Sequence, residues 1–300
     1  LRPSRRFMHM KRLLLLFFLF FGANGLFLTG QQAAAPSMEA VYRSAEALFN
    51  LDAPNQESDD TALRLFLVVG QAKTGQSSDL RIKSLLKAAD IQQKYNRFDQ
   101  SIALCYRALA ENKKNNARVE YDYEAWLYLG HSMYLNGTLD SARHYFEQAS
   151  EIAMSNRERF PLPQLDKLYH SLGVIYYEAA NYLQARNHFE TALIFSVPDE
   201  AEDDEFYRRI QTNIANCLLK QHYYDSSIRL LSSIEPLVEQ EWLIRQQLAH
   251  AYVEKGVYDS ALIIYDSLSL PHGLTRVVAL NDQGRIYMHT GDWLKAEMTF

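Results

Sequence analysis

The side chains best suited to chemistry in this sequence are two cysteines, nine histidines and one dense acidic run. Cys105 and Cys217 stand 112 residues apart, and neither carries a caspase-like or papain-like local sequence. Cys105 falls where related stretches place an aromatic, and Cys217 falls at a small-residue position. Core packing therefore outweighs a nucleophile, a metal ligand or a disulfide. The histidines form no H-E-x-x-H and no Cys/His pairing at metal spacing. His131, His170 and His250 are spaced to face one another along a shared surface, a hint of metal or pH sensitivity. Each lies on a different stretch without acidic support, so they read as polar surface groups. Asp199, Glu200, Glu202, Asp203, Asp204 and Glu205 lack the glycine and the alternation of a calcium loop. Placed just before a helix expected to begin near Phe206, they suit the positive end of its dipole. There is no glycine-rich phosphate loop, G-x-S-x-G or kinase signature. These residues predict no enzyme, no cofactor and no metal site.

The elements that carry these groups are paired helices. The stretch from Asp166 to Leu193 reads as two short amphipathic helices joined at Ala180–Asn181. Tyr169, Leu172, Gly173 and Tyr176 share one face of the first; Tyr182, Ala185, Phe189 and Ala192 share one face of the second. Gly173 and Ala185 sit where a larger side chain would hold two backbones apart. A lone hairpin of this size leaves its apolar faces wet, so copies must stack. Earlier copies place Leu85, Ala88 and Ala89 before Phe98, Ser101, Cys105 and Ala108, then Trp126, Leu129, Gly130 and Met133 before Leu139, Ala142, Phe146 and Ala149. Later copies run Gln211, Ile214, Ala215, Leu218 to Tyr224, Ser227, Leu231, Ile234, then Leu248, Ala249, Tyr252 to Tyr258, Ala261, Tyr265, Leu268. The last has Leu280, Gly284, Tyr287, Trp293, Ala296 and Phe300.

The pattern resembles the tetratricopeptide repeat (TPR), W-x2-L-G-x2-Y followed by A-x3-F and A. Trp126-Leu127-Tyr128-Leu129-Gly130 carries the first half, and Ala142-x3-Phe146-x2-Ala149 the second. The resemblance covers residues 82–300 as an array of about six repeats, the last truncated, and more weakly 37–70, a degenerate capping hairpin in which Asp60 opens the second helix. The repeat spacings are 41, 43, 42, 34 and 35, against about 34 for the family. The excess falls in ENKKNNAR (111–118), RERFPLP (157–163) and SVPDEAEDDE (196–205), with prolines favouring loops in the last two. The family's closing proline is missing in most copies.

The resemblance implies an all-α fold, a right-handed superhelical solenoid whose first helices line a concave groove. The groove would present Leu86, Asp90 and Gln93; Leu127, His131 and Tyr134; His170, Val174 and Tyr177; Thr212, Asn216 and Leu219; Gln246, His250 and Val253; and Asn281, Arg285 and Met288. Aromatic, imidazole and amide groups with sparse charge suit an extended peptide or a helix. Exposing Tyr134, Tyr177, Leu127 and Leu219 together would make a sizeable apolar patch. The expected function is a non-catalytic scaffold for a protein or peptide segment. Relatives that grip a C-terminal carboxylate spread a Lys/Asn/Arg set over adjacent first helices. Here Arg209, Asn213, Asn216 and Lys220 lie within one repeat, so that activity is not carried over.

Composition is ordinary for a soluble protein, 48% hydrophobic and 22% charged, with 19 Tyr and 15 Phe, a dozen of them at the repeat positions named above. The net charge is −5, and all five basic residues of the first thirty lie in one segment; without them 26 basic face 36 acidic residues, a balance of −10. Such an acidic body is a poor match to a phosphate backbone, so nucleic acid is not an expected partner. Residues 1–30 read as a secretory signal peptide, with Lys11 and Arg12 before Leu13–Phe21 and a break at Gly22, Asn24 and Gly25. Cleavage between Gly25 and Ala35 would give an exported, periplasmic or secreted protein. A membrane partner follows only if the segment is retained as an anchor. Residues 1–9 read as an upstream extension before Met10. Trp293, Ala296 and Phe300 have nothing after them to cover the stack, so a longer protein is expected. The irregular spacing and stretches such as NIANCLLKQHYYDSSIRLL also look similar to arrays preceding CHAT caspase-like peptidase domains in bacterial proteins, and similar arrays precede sensor histidine kinases. The second expectation is therefore a regulatory region of an enzyme whose catalytic domain lies beyond Phe300.

Overall fold

A computed structural model describes residues 36–72, 77–115, 118–156, 163–196, 201–234, 241–268 and 273–299. The chain divides into a unit at residues 1–37, of which only Pro36 and Ser37 are described, and a second unit, Met38–Phe300. The expected signal segment, 1–30, lies outside the described residues, as do Asp199, Glu200 and Phe300.

The described residues of the second unit are 85% helical and contain no strand. Fourteen helices pair in sequence: α1 (Met38–Phe49) with α2 (Gln56–Gly70), α3 (Ser78–Lys94) with α4 (Phe98–Lys114), and α5 (Val119–Leu135) with α6 (Leu139–Asn156). α7 (Leu165–Glu178) pairs with α8 (Tyr182–Phe195), and α9 (Ala201–Lys220) with α10 (Tyr224–Ser233). α11 (Glu241–Lys255) pairs with α12 (Tyr258–Ser267), and α13 (Leu274–Thr290) with α14 (Trp293–Thr299). Each second helix also packs on the first helix of the next pair.

One turn closes six of the seven pairs. At Asn96, Gly137, Ala180, His222, Gly256 and Gly291 the backbone takes φ between 56° and 82°. The next residue's N–H then reaches back to a carbonyl five positions earlier, as in Thr138 N to Met133 O at 2.9 Å and Asn181 N to Tyr176 O at 2.9 Å. This is the Schellman closure: a left-handed residue lets the chain reverse while capping the last carbonyls of the first helix. Three of the six positions are glycine, as the conformation favours. Ala180 is the residue least suited to it.

Small residues then let the pair close. A Cβ on Gly173 would stand 2.6 Å from the Phe189 ring, so only glycine admits that ring. Ala142, Ala185, Ala192 and Ala261 are fully buried. One core runs from Tyr123 through Phe146, Leu172 and Phe189 to Cys217, crossing three pairs. Burying each phenylalanine contributes about 2–3 kcal/mol.

Two boundaries differ from the sequence reading. Helix α2 begins at Gln56 rather than Asp60, because Asn55 and Ser58 cap each other's backbone N–H groups at 2.9 and 3.0 Å. Helix α9 begins at Ala201 rather than near Phe206, so Glu202 to Glu205 lie within its first turns. Part of the excess repeat length is helix: α4 has 17 residues and α6 has 18.

Candidate partner-binding groove

Among the first helices of successive pairs, side-chain contacts link α3, α5, α7 and α9 in a row, and link α11 to α13. Gln93 of α3 donates from Nε2 to Ser132 Oγ of α5 at 2.7 Å and to the carbonyl of Tyr128. Tyr134 of α5 donates to Glu178 of α7 at 3.3 Å. Asn213 of α9 donates to His170 Nε2 of α7 at 3.1 Å. Between α11 and α13, His250 Nδ1 donates to Asp282 at 2.7 Å and Arg285 pairs with Glu254 at 3.0 Å.

The expected groove residues divide along this row. Leu86, Leu127, Thr212, Leu219, Gln246 and Val253 are buried, so they do not present a surface to a partner. The correction has a simple cause. A first helix in a stack packs on its own second helix and on both neighbouring pairs, so its apolar stripe is wider than in a lone hairpin. Leu127, only 2% exposed, belongs to the core of the next pair. Asp90, Gln93, His131, Tyr134, His170, Val174, Tyr177, Asn216, His250 and Arg285 are half-buried, and Asn281 and Met288 are exposed.

No protein-family model and no curated protein matches the chain. Solved structures do. The apo form of RapI superposes with TM-score 0.60 at 13% identity, covering 87% of this chain and 73% of that one. A tetratricopeptide repeat protein from Parabacteroides merdae gives 0.54 at 13% identity, covering 87% and 90%. PilF of Pseudomonas aeruginosa gives 0.51 at 13% identity, covering 75% and 90%. The fold is the TPR superhelical solenoid. At these identities the likeness concerns fold alone. In a TPR solenoid the row of first helices lines the concave face.

Burial sets the electrostatics along the row of first helices. His131 lies edge-on to Phe146 at 5.0 Å, and His170 lies against Phe206 at 5.0 Å. Desolvation lowers both imidazoles to about 4, helped by Lys167 and His170 at the first and by Arg209 at the second. Both are neutral at pH 7, and the 3.1 Å contact has Asn213 donating to an unprotonated ring nitrogen. Asp90 and Glu124 are pushed up by burial, with nearby lysines (Lys87 foremost for both) pulling the other way.

His250 does have acidic support, contrary to the sequence reading. Asp282 is 2% exposed, and its carboxylate accepts from His250, from Tyr265 Oη at 2.7 Å and from Arg285 at 3.2 Å. Desolvation pushes its pKa up, but these hydrogen bonds and charges outweigh it and hold the carboxyl below its ordinary value. Sequence spacing marks neither Asp282 nor Tyr265 as a polar centre; its one signal is a polar residue at an inward position of α13. Cys105 and Cys217 are buried free thiols that burial pushes up to about 12, far from a reactive thiolate. Among the described residues no group of three His, Cys, Asp or Glu side chains is placed to hold a metal, and no helix is long and apolar enough to cross a membrane.

Proposed function

We propose that the chain is a non-catalytic interaction scaffold whose concave face receives a protein or peptide segment. The observation that carries the reading is the half-buried strip Tyr134, Val174 and Tyr177 on α5 and α7, with Asn216 also half-buried on α9. Rigid aromatic rings with amide groups beside them offer contact area and hydrogen bonds at small entropic cost. His131 and His170 add no charge of their own to the strip at pH 7, where the nearby cations are Lys167 and Arg209. Nucleic acid does not suit this face or the acidic chain.

The test is Tyr134→Ala combined with Tyr177→Ala. Peptides enriched on the wild-type protein from a random library should lose at least tenfold in affinity for the double variant, with helical content unchanged. Equal affinity would remove the strip from the site. Export rests on residues 1–30, where Lys11 and Arg12 precede the apolar run Leu13–Phe21. N-terminal sequencing of the mature protein should begin between Gly25 and Ala35, at or near Gln31; a chain retaining Leu13–Phe21 would indicate a membrane anchor. The same scaffold serving as the regulatory part of a CHAT-type peptidase or a sensor kinase rests on the style of the repeats alone. A His and a Cys on an α/β pattern in coding sequence downstream of Phe300 would favour the peptidase.

A further inference from the structure

Between the second helix of one pair and the pair that follows it, α6 against α7 and α8, lies an open cleft of about 310 Å³. Its walls include Glu147, Glu151 and Met154 from α6, Leu172 and Tyr176 from α7, and His188 from α8. The volume stands at the bottom of the range for small-molecule sites, enough for one side chain.

Repeat register distinguishes this interface from the one before it. The residue after the second-helix core aromatic is Glu147, and its counterpart one repeat earlier, after Cys105, is Tyr106. The residue before that aromatic is His188 here and Tyr145 one repeat earlier. In the earlier interface Tyr106 and Tyr145 meet hydroxyl to hydroxyl and bridge the gap. In the later one Glu147 and His188 are too short to meet, and Glu147 instead accepts from Tyr176 Oη at 2.8 Å.

Two rings of one wall, Tyr176 and His188, are the outer members of a column that continues into the core. Tyr176 stacks on His188 at 5.1 Å, His188 on Tyr169 at 6.2 Å and Tyr169 on Phe195 at 5.7 Å. Burial lowers the imidazole of His188, against the pull of Glu147, which favours the neutral ring. The facing wall carries two carboxylates one helical turn apart. Glu147 has one oxygen engaged by Tyr176, and Glu151 is exposed with no partner among the described residues. The nearby guanidinium of Arg143 is held by Asp140 at 3.1 Å. Carboxylates four residues apart on a helix lie about 5–6 Å apart at their Cβ atoms. That separation matches a forked donor, and the rings match a flat cation. A lysine ammonium would use one carboxylate and gain less from the ring wall.

We infer that this cleft is a recognition site, separate from the concave face, that takes one arginine side chain of a partner segment. The test follows His188 imidazole resonances of the intact protein while N-acetyl-arginine N-methylamide is added. The expected result is saturable binding in the millimolar range. The neutral isostere N-acetyl-citrulline N-methylamide should bind at least tenfold more weakly, and the lysine analogue severalfold more weakly. Glu147→Gln with Glu151→Gln should cost arginine at least tenfold with helicity unchanged, since both side chains are exposed. The Tyr134→Ala, Tyr177→Ala variant should bind arginine as the wild type does, which separates this site from the groove. Citrulline or lysine binding as well as arginine, an unaffected carboxamide variant, or no saturable change at His188 would overturn the assignment.

Discussion

Gly130 lies so close to Phe146 that a Cβ built on the glycine would stand 2.5 Å from the ring. Real Cβ atoms do not approach a ring so closely, and Phe146 is fully buried with nowhere to retreat. Gly130→Ala should therefore destabilise by about 2–3 kcal/mol, since overpacking outweighs the better helix propensity of alanine. Urea unfolding measures it. Phe146→Leu should recover part of the loss in the double variant, with a coupling of about 1 kcal/mol. Simple additivity would mean that the pair does not set the approach of α5 and α6.

Ala180 holds φ at 58°, the conformation that Gly137, Gly256 and Gly291 hold at equivalent turns. An alanine there is strained by about 1–2 kcal/mol, and glycine relieves it while loosening the unfolded chain. Ala180→Gly should stabilise by about 0.5–1 kcal/mol, read as a raised melting temperature. Gly137→Ala should do the reverse. A destabilised Ala180→Gly protein would show that the turn at this pair is fixed by something other than its backbone.

The pairing and the small-residue contacts were legible in sequence because each depends on neighbours three, four or about fifteen residues away. Gly173, Ala185 and Phe189 are recognisable from such local spacing. The surface was less legible. Leu86, Leu127, Leu219 and Val253 look like groove residues when a first helix is given a single buried stripe, but a stacked helix has neighbours on both sides. The partnership of His250 with Asp282 spans 32 positions and depends on the separation between α11 and α13, which no local period encodes.

His131 and His170 predict an acid-side loss of stability. Their folded pKa values, about 4, lie below the ordinary 6.5. Between those values the unfolded chain binds more protons than the folded one, so stability is full above pH 6.5 and falls as the pH drops toward 4. The slope is at most about 1.4 kcal/mol per pH unit for each group, and less to the extent that water still reaches the rings. Asp90 and Glu124, raised by burial, act in the opposite sense and gain stability as they protonate at lower pH. Urea midpoints between pH 7 and 5 should decline in the wild type, and His131→Gln with His170→Gln should flatten that decline. An unchanged slope in the double variant would place the sensitivity elsewhere.

The Asp282 cluster predicts a local failure. The carboxylate is 2% exposed and joins α11, α12 and α13 through His250, Tyr265 and Arg285. Asp282→Ala leaves the buried Tyr265 hydroxyl and the His250 N–H without an acceptor and Arg285 without one of its two carboxylates. Losing one member of such a network costs about 3 kcal/mol. Asp282→Asn keeps an acceptor oxygen and should cost about half as much. Because contacts in a repeat stack are made only with neighbours, the damage should stay at the last two pairs. Amide exchange should accelerate across α13 and α14 while α5 to α8 keep their protection, and limited proteolysis should cut first beyond Lys255. Uniform loss of protection along the whole stack would mean that the repeats unfold as a single cooperative unit rather than pair by pair.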